Sequence, residues 1–151
     1  MMSAVGHVFG QSLRTNLSFV IGRLQAIKEI SNHERIGWGS ANNEFYNLSK
    51  ELLKMRMEKD FRQMITNSSP VVRAMGLLCL TQMNEDERYS TLSPFIEDPE
   101  RVSLAEGCMI STITIGEFAR RLLANPYFLE PGGRPSCDPA FPSCFYSGVA
   151  L

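Results

Sequence analysis

The stretch FRQMITNSSPVVRAMGLL, residues 61–78, has an echo 31 positions later in LSPFIEDPERVSLAEGCM, residues 92–109. Advancing Phe61, Met64, Ile65, Val71, Ala74, Gly76, Leu77 and Leu78 by that step lands on Leu92, Phe95, Ile96, Val102, Ala105, Gly107, Cys108 and Met109. Pro70 is echoed by Pro99, two places early. Self-similarity at a period of a few tens of residues is the mark of stacked helical units. It speaks to architecture and names no reaction.

Working outward, apolar residues from Val5 to Ile27 recur at steps of three and four and predict one amphipathic helix over 3–30. Gly37, Trp38 and Gly39 interrupt the pattern over 31–41, a loop. A second helix is expected over 42–66, with a bend where its apolar stripe drifts near Met57 and Glu58. Ser69 and Pro70 supply a helix cap and a first-turn proline for a third helix, to about Met83. A short fourth helix follows at Tyr89–Ile96, with Pro94 awkward inside it. A fifth runs from Asp98 and Pro99 to Ala124, before Asn125 and Pro126 stop it. Ile110–Ile115 has strand-like composition but helical surroundings, and is read as helix.

The unit of short helix, proline-started turn and second helix resembles a HEAT repeat of the armadillo-like group, over Phe61–Met83 and again over Leu92–Thr114. The resemblance implies an all-α fold, a right-handed αα superhelix of HEAT-like pairs over 1–125 with an irregular tail over 126–151. The long first helix and the tail would cap the array. In that family an acidic or amide residue near the turn and an arginine six places on form a ladder between units. Asn67 and Arg73 hold those places in the first unit; Asp98 holds the first in the second, where Leu104 replaces the arginine. The resemblance thus implies a structural pair between Arg73 and Asp98, buried at the seam, against the plainer reading of Arg73 as a solvated surface residue.

Composition bounds the function. The 151 residues, 44% hydrophobic, suit one core. Lys and Arg number 15 against 16 acidic residues, so no global field gathers phosphates or an anionic membrane, and nucleic-acid binding is disfavoured. No run of eighteen apolar residues and no leader-like start occur, which points to a cytoplasmic protein off the membrane. No Cys-x-x-Cys or His-x-x-x-His pair is present, so neither metal nor cofactor is expected. Cys79 and Cys108 read as core thiols, while Cys137 and Cys144 lie in the Pro-rich tail, where only an oxidising compartment would join them.

His7 and His33 stand apart from any nucleophile motif, and the acidic turns at 85–87 and 97–100 are exposed types without the split environments that acid–base catalysis needs. No catalytic residue is assigned. Candidate contacts are Trp38, either folded onto the core or presented to a partner, then Arg73, Glu106 and the tail aromatics Phe141, Phe145 and Tyr146. The tail, read as disordered or as a strap, could also tie a second copy into a homodimer. The reading is a non-catalytic protein-recognition module, an adaptor, scaffold or small immunity-type inhibitor, that binds another protein through a helical groove. The alternative is a HEAT-like enzyme or nucleic-acid-directed protein of base-repair or lyase type.

Overall fold

In the computed structural model the described residues are 17–33, 43–106, 109–125 and 128–129. Helix α1 (Leu17–Ala26) buries Val20 and Leu24, one turn apart. A short strand, β1 (Glu29–Ser31), follows. Helix α2 (Glu44–Met55) starts where the Asn43 side chain accepts the Tyr46 amide at 2.8 Å. It ends at Arg56, whose φ of 50° lies in the left-handed region that breaks a helix. Helix α3 (Glu58–Met64) restarts at once, burying Phe61 and Met64. The expected helix over 42–66 is therefore two, divided where its apolar stripe drifts.

Helix α4 (Pro70–Met83) has Pro70 in its first turn, where the missing amide hydrogen has no helical partner to lose. From Val71 to Thr81 every residue is buried, so this helix has no solvent face and forms the axis of the fold. All the other helices except the short turns pack on it, as do β1 and β2. A 3₁₀ turn at Glu85–Glu87 leads into α5 (Arg88–Leu92) and a second such turn at Ser93–Phe95. Pro94 sits in the first turn of that 3₁₀ segment, which accommodates it.

The fifth helix does not form as expected. Residues 101–114 instead make a hairpin of β2 (Arg101–Glu106) and β3 (Met109–Thr114), and only α6 (Ile115–Ala124) is helical. Val102 and Leu104 alternate inward at period two, and β-branched Ile110, Thr112, Ile113 and Thr114 favour the pleated surface. Leu104, which stands where the repeat pattern wants an arginine, is core, 0% exposed. The sheet has order β1-β2-β3, parallel between β1 and β2 with Ile30 opposite Leu104, antiparallel between β2 and β3 with Val102 opposite Ile113.

The fold is thus mixed, six helices with a three-stranded sheet, and the all-α superhelix is corrected. The two echoing stretches are built differently: residues 70–78 lie in a helix, and their counterparts in a strand and hairpin. Apolar residues three apart match in both, but the match carries no common secondary structure.

Ile30, Val102, Leu104 and Ile113 turn one face of the sheet into the same core as Phe45, Phe61, Met75 and Phe118. Phe128 closes it, its ring edge-on to Phe118 at 5.0 Å. Each fully buried side chain of this size stabilises by about 1.5–3 kcal/mol. Two glycines set the closest approaches. A Cβ at Gly76 would lie 2.9 Å from the Phe61 carbonyl oxygen, and one at Gly116 would lie 2.5 Å from that of Ile96. Gly22, on the exposed side of α1, has nothing within 4 Å.

The expected outcome of Gly116→Ala is destabilisation by about 2–3 kcal/mol, since backbone must move to admit the methyl group. Gly22→Ala should stabilise by up to about 1 kcal/mol through helix propensity. Urea denaturation of the two variants checks both signs.

Candidate functional site

Charge is distributed unevenly around α4. Arg73, in its second turn, is 8% exposed although it carries a permanent charge. Its Nη1 donates to the carbonyl oxygens of Asn67 at 2.9 Å and Ser68 at 3.1 Å, the turn that precedes the helix. Its Nη2 donates to Glu100 Oε2 and lies 3.4 Å from Asp98 Oδ2. Asp98 is itself oriented, its Oδ1 accepting the Glu100 amide at 3.0 Å. The backbone carbonyls of the same segment accept from α6: Glu100 O from the Ile115 amide at 2.8 Å, and Asp98 O from the Gly116 amide at 3.0 Å.

Residues 98–100 are therefore clasped from two sides, by a guanidinium from α4 and by the first amides of α6. The arrangement joins the axial helix to the start of β2 rather than one repeat to the next. Arg73 Nε is buried without a hydrogen-bond partner among the described residues. A buried guanidinium with two carboxylates is a structural clamp. It offers no free donor to solvent and no nucleophile, so it does not make a reactive centre.

The concave surface lies elsewhere, between α1 and α2. Arg23, Glu44, Asn47, Leu48 and Glu51 line an open groove of about 230 Å³. Arg23 donates from Nη2 and Nε to Glu44 Oε1, at 2.7 and 2.9 Å. Its guanidinium carbon also stands 5.9 Å from the centre of the Phe19 ring, within cation–π range. Phe19 is 57% exposed. Glu51 is exposed and has no ion pair among the described residues. One cation against two carboxylates leaves the groove acidic, with an aromatic ring on its rim.

The residues singled out from the sequence are not assembled into one place. Arg73 is in the clamp. Glu106, at the end of β2, accepts from Arg121 Nη1 of α6 at 2.9 Å, well away from the groove elements. Trp38, Phe141, Phe145, Tyr146, Cys108, Cys137 and Cys144 lie outside the described residues. Sequence reasoning missed Phe19, Arg23, Glu44 and Glu51, because the ion pair that builds the groove spans 21 residues and leaves no local pattern. Glu100 was missed as a third member of the clamp, although its place beside Pro99 was the available signal.

His33 is partly buried at the end of β1, and its backbone amide donates to Ser31 Oγ at 3.1 Å. Cys79, in the middle of α4, is wholly buried, and burial pushes its thiol pKa far above the ordinary range. A thiol held protonated there is no nucleophile. Among the described residues no group of three His, Cys, Asp or Glu side chains is placed to hold a metal ion, and no helix is long and apolar enough to cross a membrane.

Comparison with known proteins overturns the HEAT resemblance. The PRP38 family matches residues 8–131, most of the chain, including all the described elements, and no HEAT or armadillo family does. No curated protein and no solved structure matches. The chain belongs to the PRP38 family, a family of spliceosome-associated proteins, which makes it splicing-related and agrees with protein partners.

Removing Arg73 leaves two carboxylates facing each other across an emptied site. Arg73→Ala should cost about 3 kcal/mol of unfolding free energy. Glu100→Gln, at a half-exposed carboxylate, should cost under about 1 kcal/mol. Chemical denaturation at neutral pH measures both. A thiol reagent should leave Cys79 unmodified in the folded protein and label it at the rate of unfolding, as followed by peptide mapping.

Proposed function

We propose that the chain is a non-catalytic recognition module of the splicing machinery, which holds a protein partner in the groove between α1 and α2. Membership of the PRP38 family over residues 8–131 carries the reading. The groove adds the chemistry. Its acidic lining suits a basic side chain set against Glu51, and the Phe19 ring offers the kind of rigid aromatic anchor on which interface energy concentrates. Arg23, already paired with Glu44, orients the rim rather than supplying a free charge. The partner is then a segment with a lysine or arginine next to an apolar residue. The site of action is the nucleus, in place of the cytoplasmic assignment drawn from composition.

The family carries RNA-containing assemblies within its reach, so the test separates protein contact from RNA contact. Tagged full-length chain is recovered from nuclear extract and probed for spliceosomal RNA and proteins, before and after RNase. The expected result is co-purification with splicing particles and retention of a protein subset after RNase. Phe19→Ala combined with Glu51→Lys should reduce that subset by roughly tenfold, the loss typical of one interface anchor. Recovery that disappears entirely with RNase, or that is indifferent to the two substitutions, removes the groove from the reading.

A further inference from the structure

Of the large apolar side chains exposed among the described residues, two are consecutive: Met109 at 39% and Ile110 at 60%, both on β3. The strand lies at the edge of the sheet as described, beyond β2. Its sequence, MISTIT, has no charged residue, proline or glycine. Proteins blunt an exposed edge with a lysine, a proline, a bulge or a very short strand, because an open ladder invites another chain. The opposite edge, β1, is three residues long and so is blunted by length. With six residues in unbroken register to β2, β3 carries none of these devices.

The strand's own pattern indicates what fits it. In antiparallel addition about a twofold axis normal to the sheet, every side chain keeps its face, so residues pair only with others of the same face. Centred on Ser111, the pairing sets Ser111 against Ser111 of the second copy, Ile110 against Thr112, and Met109 against Ile113. Both exposed apolar side chains gain a β-branched partner. Because Ile113 shares the sheet face of Ile30, Val102 and Leu104, the apolar face runs on across the junction. Centring on Thr112 instead brings Met109 opposite Ile115, which is already helical, and loses that contact. A net charge of -1 lets two copies approach without strong repulsion.

We propose that a second copy of this chain adds antiparallel to β3 about a twofold axis at Ser111, joining two three-stranded sheets into one. The inference rests on the sheet alone and is independent of the spliceosomal reading. A single strand pair is a small contact, so the dimer is weak and reversible.

The test is sedimentation equilibrium of the full-length chain under reducing conditions, over about 10 μM to 1 mM, the range in which small interfaces associate. Wild type should rise from monomer towards dimer. Ser111→Lys sets two like charges face to face and should weaken association at least tenfold, as should Ser111→Glu. An equimolar mixture of the two variants should regain it. Both substitutions fall at an exposed position and should leave the thermal midpoint unchanged. As a measurement free of variants, hydrogen exchange of wild-type amides 110–112 should slow as concentration rises. A chain that stays monomeric throughout, a dimer indifferent to Ser111→Lys, or a mixture that fails to associate overturns the proposal.

Discussion

A helix without a solvent face must be enclosed on all sides, and α4 imposes that demand on the rest of the chain. From Val71 to Thr81 it offers apolar surface around its whole circumference. One amphipathic neighbour covers only a stripe of such a cylinder. Here α3 lies close at Gly76, α2 and α1 cover another side, α5 and α6 a third, and the sheet contributes its inner face. The elements that appear disconnected in sequence are the separate walls of one enclosure.

Enclosure creates a difficulty at the amino end of the helix, where backbone amides have no helical partner and Arg73 brings a full charge inside. The Arg73 clamp resolves it by spending the charge on structure. The guanidinium holds the turn before α4 through two carbonyls and the segment before β2 through two carboxylates. α6 then bonds that segment's backbone. The same group that makes burial costly also fixes how helix, strand and terminal helix meet. This is why the charge is structural, and why the recognition surface falls on the more exposed α1–α2 side.

Much of this was legible from residues, and the failures share a cause. The Ser69–Pro70 start, the extent of α4 and the break near Met57 follow from local rules of capping and periodicity. Residues 101–114 do not, because alignment with the earlier stretch rewards apolar matches three apart and ignores alternation. Val102 and Leu104, and then Ile110 with Thr112, carry the period of two that marks a strand. The false repeat then supplied a false family. At the site, Arg73 and Asp98 face each other across a helix–strand junction instead of a repeat seam. The groove was illegible, since Arg23 and Glu44 meet only after the chain has passed through β1 and a long connection.

The passage from β3 to α6 has no loop. Thr114 is the last residue of the ladder, opposite Arg101, and also the helix cap: its hydroxyl accepts the Glu117 amide at 3.0 Å, and its own amide donates to the Glu117 carboxylate at 2.7 Å. One residue thus serves two periodicities. Sliding the strand by one place would strip the helix of its reciprocal cap and turn Ile113 outward in the same move. Hairpin and terminal helix behave mechanically as a single bent rod, so a load applied to the edge is felt at Phe118 and Phe128 without any hinge to absorb it.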